Sequence, residues 1–187
     1  MLDIQIDSTE IARIAQTMRL IPGAVKQVQR YALMKAQQVM KTTAVNETVT
    51  KYYVKAAELR KSITTSRKNG ELRLQVRGQR RTIAAYMMSP IRKPKHGRYY
   101  LYGAVRRGMG LKPLGRDTFL MPSRGKHPYL PMRRLSRERL PIEPIIAPAY
   151  PQLVGNEQTV ESIRQNTSEA ITSEFRRQAL RVLGVLR

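Results

Sequence analysis

The chain contains no cysteine, no tryptophan and only two phenylalanines. Without thiols, disulfide cross-links and thiolate metal sites are excluded, and nothing points to a stapled secreted fold. Aromatic residues make up 6% and apolar residues 41%, so Tyr, Met, Leu and Ile must supply the large core groups. At 187 residues the chain is long enough to bury one core, a modest one. Long hydrophobic runs are missing as well. No stretch approaches the roughly 20 apolar residues that a membrane span needs. The opening residues MLDIQIDS, with Asp3 and Asp7, are unlike a secretory or transit signal. The expectation is a soluble protein without a membrane partner.

Acids are scarce where cations are dense. Residues 55–140 hold 23 Lys/Arg against Glu58, Glu71, Asp117 and Glu138, a net +19 of the formal +22, while the two flanks together carry only +3. A basic middle between nearly balanced ends reads as a scaffold that faces a polyanion on one side and protein on others. A free monomer of this charge repels itself, so nucleic acid, an acidic partner or a compensating assembly is expected.

The hydrophobic period changes along the chain. After a short strand at Asp3–Ile6, Asp7 and Glu10 have capping-box spacing and open a helix with Ile11, Ile14, Ala15 and Met18 on one face. Pro22 then starts a long helix, its missing N–H harmless in the first turn. Its stripe runs through Ala24/Val25, Val28, Tyr31/Ala32, Ala36, Val39 and Thr43. A second short helix follows at Lys55–Lys61. Residues 62–67 and 71–77 flank Lys68-Asn69-Gly70, whose Asn-Gly pair is a hairpin signal, with Leu72, Leu74 and Val76 alternating against polar neighbours. A third strand is expected at Thr82–Met88. Residues 89–128 are punctuated by Pro and Gly, with strand-like islands at Tyr99–Val105 and Asp117–Met121. Pro141, Pro144, Pro148 and Pro151 predict an extended connection. Asn156 then caps a C-terminal helix with Val160, Ile163, Ile171, Phe175, Ala179, Val182/Leu183 and Leu186 on its apolar face. The fold class is α+β in a single domain. Its parts are N-terminal helices over 1–61, a basic β and loop region over 62–140, the Pro-rich connection over 141–155 and the helix over 156–187.

The residue inventory does not favour catalysis. His96 and His127 lie in Gly/Pro-rich basic loops without a carboxylate or Cys cluster, so each reads as an ordinary loop histidine. Asp117 and Glu138 read as salt-bridge partners rather than general acids. The run from Gly103 to Gly108 imitates the outer glycines of a phosphate loop, but Met109 and Gly110 stand where that loop needs Lys and Ser/Thr. No enzyme, cofactor or metal site is therefore expected.

The cations are the candidate functional groups. Arg77, Arg80 and Arg81 form one cluster, and Arg133, Arg134, Arg137 and Arg139 another. Arg106 and Arg107 lie between glycines at the tip of an expected hairpin, suited to reaching a backbone phosphate or an acidic protein surface, with a merely solvated loop as the equal alternative. Replacing both by Glu is expected to impair assembly or DNA retention with the fold intact. No zinc finger, aromatic RNP pattern or clear helix-turn-helix accompanies these residues, so any nucleic-acid contact is electrostatic and blind to sequence. Tyr99, Tyr100 and Tyr102 could stack on bases, but on an alternating strand they read first as core or interface.

The order of segments resembles the tailed-bacteriophage minor tail protein Z family, described as tail completion proteins. The matching segments are Ile21-Pro22-Gly23-Ala24, Tyr53-Val54-Lys55, Leu59-Arg60 before Ile63, Phe119 before Gly125, then Arg133 or Arg134. Arg139-Leu140-Pro141-Ile142, Pro148, Pro151-Gln152-Leu153-Val154 and the closing helix follow in order. None is a catalytic signature, and Tyr86–Arg116 departs most from the family pattern. The resemblance implies an α+β virion subunit, assembled in the host cytoplasm, that forms a hexameric ring in the neck or tail top around the DNA channel. It implies contacts with the tail terminator or tail tube, with head-completion or connector proteins, and with phage DNA through nonspecific electrostatics. The arginines named above are then candidates for DNA-channel or ring-interface contacts. The alternative, motivated by a pI near 11.1, is a stand-alone, sequence-nonspecific nucleic-acid-binding protein.

Overall fold

Val28, Ala32, Ala36, Met40, Ala44 and Thr48 recur every four residues and are all buried, on a helix that spans Pro22–Lys51 (α1) in the computed structural model. Residues 2–6, 22–68, 71–125 and 127–182 are described. Residues four apart fall about 40° beyond a full turn, so the buried row drifts around α1 instead of running straight along it. For that reason Val39 and Thr43, expected on the stripe, are half-buried, while Met40 and Ala44 take the core positions.

The row follows its partner. Helix α4 (Glu157–Val182) buries Thr159, Ile163, Thr167, Ile171 and Phe175 at the same four-residue spacing. Two ridges of equal pitch interdigitate, and Ala32, Ala36 and Ala44 let the backbones approach. The helices run antiparallel: Lys51 Nζ at the end of α1 donates to Thr159 Oγ1 at the start of α4, 3.3 Å away. Buried Thr48 and Thr167 donate to the carbonyls of Ala44 and Ile163 at 2.7 and 2.6 Å, so neither hydroxyl is left unsatisfied.

Against this pair packs an antiparallel sheet in the order β1-β3-β2, formed by Leu2–Ile6 (β1), Ile63–Lys68 (β2) and Glu71–Val76 (β3). The register of β2 with β3 ends on Lys68↔Glu71. Asn69-Gly70 is therefore the two-residue link, and lies outside the described residues. Leu72, Leu74 and Val76 all point inward, as alternation dictates. Gln37 of α1 fastens β2 by donating to Thr65 O at 3.0 Å. Helix α2 (Ala56–Ser62) bridges α1 to β2 and buries Leu59. The helix expected over Asp7–Met18 lies outside the described residues.

The second half is built from short strands. Arg81–Thr82 (β4) pairs with Ile146–Ala147 (β11); Met87–Ser89 (β5), Tyr102–Ala104 (β6) and Lys112–Pro113 (β7) form a second sheet; Thr118–Pro122 (β8), Tyr129–Arg134 (β9) and Ile142–Pro144 (β10) form a third. All pairings are antiparallel. The expected continuous strand at Thr82–Met88 is broken by a 3-10 turn at Ile83–Ala85. Its two ends pair with different sheets, β4 with β11 and β5 with β6, so the chain must turn between them.

The 141–155 connection is also more structured than its prolines predict. Tyr150–Val154 is a helix (α3), with Pro151 in the first turn where no N–H is needed. Gln152 Oε1 accepts the N–H of Ala149 at 2.9 Å and closes its N-terminus.

Two apolar clusters result. The larger joins α1, α3, α4 and the first sheet; the smaller gathers Ile83, Met88, Leu101, Leu120 and Ala147 among the short strands. Tyr86 and Val105 pack against both and couple them. The α+β class holds: a long N-terminal helix, small antiparallel sheets and a C-terminal helix. Among the described residues, no helix is long and apolar enough to cross a membrane.

Candidate functional site

The structure sorts the candidate arginines into two kinds. Arg81, Arg107 and Arg134 make contacts that hold the fold together, whereas Arg77, Arg80, Arg106, Arg133, Arg137 and Arg139 present exposed side chains.

Arg81 lies at the joint between the two halves. Its Nη1 donates to Glu58 Oε2 at 2.6 Å, and its guanidinium sits 4.4 Å from the centre of the Tyr150 ring. The Tyr150 hydroxyl donates to the same carboxylate oxygen at 3.2 Å. One carboxylate of α2 thus binds the start of β4 and the first residue of α3. Burial pushes the Tyr150 phenol up to about 12, against the pull of Arg81, and Glu58 pushes it the same way as burial. Burial also raises Tyr86, again opposed by Arg81, and the Tyr86 hydroxyl donates to Pro148 O.

Arg107 closes the C-terminus of α1. The last carbonyls of a helix have no partner within it and form the negative end of its dipole. Arg107 Nε donates to Val49 O at 2.9 Å and Tyr52 O at 3.2 Å, its backbone N–H donates to Lys51 O at 2.8 Å, and its guanidinium lies 4.8 Å from the centre of the Tyr53 ring. The hairpin tip expected between β6 and β7 is there, with Gly108 and Gly110 at positive φ, but it docks on α1 through Arg107. Arg106, in an isolated bridge with Tyr52, is exposed beside it.

Arg134 performs a similar task at the end of β9. Its Nη1 donates to the carbonyls of Glu138 and Arg139 at 3.3 and 3.1 Å, and its guanidinium lies 5.1 Å from the centre of the Phe119 ring. This shapes the 135–140 turn, from which Arg137 and Arg139 project as exposed groups. On the neighbouring strand pair Arg133 stands opposite Glu143 in the register. Both are exposed.

One constellation is assembled by the tertiary fold from separate segments. Lys93, Tyr99, Arg116, Asp117, Phe119 and Arg134 line a cleft of about 420 Å³. Lys93 and Arg116 were absent from the dense arginine clusters, because only the β8–β9 pairing and the loop after β5 bring them to Arg134. A useful sequence signal would have been the cations bracketing the Asp117–Met121 island, Arg116 in particular.

The arrangement can bind anions through exposed guanidinium and ammonium groups, each a donor matched to phosphate oxygens. His96 is exposed and His127 half-buried. Among the described residues no three His, Cys or acidic side chains gather as a metal site. Comparison with protein-family models, with curated proteins and with solved structures returns no match.

Proposed function

We propose that this chain is a structural subunit of a phage tail or neck, which completes the tail and helps join it to the DNA-filled head as part of a homo-oligomeric ring around the DNA channel. The observation that carries the reading is the separation of tasks within one chain. The long helices and first sheet hold the core, while residues 77–140, beyond that sheet, carry 17 Lys/Arg against Asp117 and Glu138, a net +15 of the formal +22, and every arginine there except Arg81 is exposed. The resemblance of segment order to tail completion proteins gives that separation its context.

Loose, sequence-blind contacts fit a conduit. DNA must slide during ejection, so exposed Lys and Arg meeting phosphates serve better than bidentate contacts to base edges. Repetition around a ring multiplies a weak contact without tightening any one of them. Tail-terminator and connector proteins are then the protein partners, and the virion is the destination.

Electron microscopy of particles lacking this chain tests the proposal. Full heads beside unjoined tails are the expected outcome; normally joined, infectious particles would remove it. Salt-sensitive, nanomolar DNA binding by an isolated monomer, with no ring beside tail proteins, would instead favour a stand-alone nucleic-acid-binding protein.

A further inference from the structure

We infer that the cleft between the loop after β5 and the β8–β9 pair is a phosphate-binding site, distinct from the diffuse arginine surface. The inference rests on the proposed contact with DNA only for the source of the phosphate. The binding chemistry stands on the cleft itself.

Three cations from three separate segments converge there: Lys93 from the loop after β5, Arg116 from the turn before β8, and Arg134 from the end of β9. Against them stands the single carboxylate of Asp117, which leaves a formal +2 within a cleft of about 420 Å³. Like charges repel, so unconstrained cations normally spread apart. Here the fold brings them to one concavity.

Arg134 is held in advance of any ligand. Two carbonyls accept from its Nη1, and the Phe119 ring supports its plane. A guanidinium has five N–H donors, so its Nε–H and Nη2 hydrogens remain for an oxyanion. A donor fixed beforehand loses little entropy on binding, which favours affinity. Tyr99 adds to the site. Its hydroxyl accepts the Leu120 N–H at 3.1 Å, which leaves the phenolic proton as a donor.

The composition also selects the ligand class. Spread positive charge and several N–H donors match the oxygens of a phosphate better than a single carboxylate. The phosphate can belong to a nucleic-acid backbone or to a small phosphorylated molecule.

The test uses the full chain and two charge-matched double variants. Lys93→Gln with Arg116→Gln strips the cleft while sparing Arg134, which shapes a turn. Lys55→Gln with Lys61→Gln removes the same charge from exposed positions at the two ends of α2. Calorimetric titration at fixed ionic strength uses inorganic phosphate, a 5′-mononucleotide and a duplex oligonucleotide as probes. Loss of two charge-assisted contacts is expected to weaken duplex binding about tenfold or more in the cleft variant, and about threefold or less in the control.

If only phosphate and the mononucleotide distinguish the two variants, the cleft binds a small phosphorylated molecule and the inference stands. Equal losses in both variants with every probe would overturn the cleft but leave a diffuse DNA-binding surface intact. Absence of binding to all three probes by the wild-type chain would overturn the cleft and the DNA contact together.

Discussion

Arg106 and Arg107 are neighbours with the same side chain, yet their substitution is expected to have different consequences. Arg107→Ala removes two hydrogen bonds from Nε, a cation at the negative end of α1 and a guanidinium over the Tyr53 ring. Water can replace the donor at these exposed carbonyls, so the hydrogen bonds contribute only about 1 kcal/mol net. The helix-end charge adds about 0.5 kcal/mol and the ring contact a similar amount, both screened by solvent. The expected loss is about 2 kcal/mol. With a urea dependence of about 2 kcal/mol per molar for a chain of this size, the unfolding midpoint falls by about 1 M. Arg106→Ala, at an exposed side chain without such contacts, is expected to cost less than about 0.5 kcal/mol. Urea unfolding followed by circular dichroism compares the two directly. Midpoints that agree within about 0.25 M, at equal slopes, would refute the assignment of Arg107 as the clasp on α1. The comparison also revises the expectation that both arginines can be reversed to Glu without touching the fold. Arg106 alone is the clean probe of assembly.

Further outcomes are open to measurement. Gly103→Ala places a Cβ 2.8 Å from Ile83 Cγ1 and 3.1 Å from Leu114 Cδ2. Overpacking of this kind costs about 1–3 kcal/mol, and an unchanged melting temperature would show that the smaller cluster has slack. Glu174 accepts from Arg177 and Gln178 at 2.8 and 2.7 Å, and the Arg177 hydrogen bond is the main cause that holds its carboxyl below the usual range. Because its folded pKa is depressed, its stabilisation is present above the unfolded value of about 4.3 and is lost as pH falls through the folded one. Glu174→Gln is therefore expected to be less stable than wild type at neutral pH and to approach it at a pH below the folded pKa. Urea midpoints at the two pH values measure this, and a gap independent of pH would contradict it.

Patterns set by local chemistry could be read without coordinates. The apolar periodicity of α1 and α4 makes amphipathic helices in any context that offers an apolar face, although the four-residue drift of their buried rows came only with packing, and Asn69-Gly70 between alternating residues marks a hairpin link whatever packs on it. Pro151 was misread because the same residue stops a helix from within and starts one at its first turn. The Gln152 contact to Ala149, the Gly155 N–H to Pro151 O hydrogen bond and the burial of Tyr150, Leu153 and Val154 separate the two cases. The strand expected at Thr82–Met88 failed for a nonlocal reason. Its halves belong to different sheets, and nothing in the residues themselves says so.

The arginines divide along the same line. Their number, their concentration between residues 55 and 140 and the scarcity of acids there are properties of the sequence, and they alone raise the expectation of a polyanion or a compensating assembly. Which of them serve the fold was decided by tertiary structure. A guanidinium becomes structural when a helix end, a carboxylate or an aromatic ring arrives beside it, as for Arg107, Arg81 and Arg134. Those partners come from distant segments, because electrostatic and hydrogen-bonding energies depend on distance in space and not on separation along the chain.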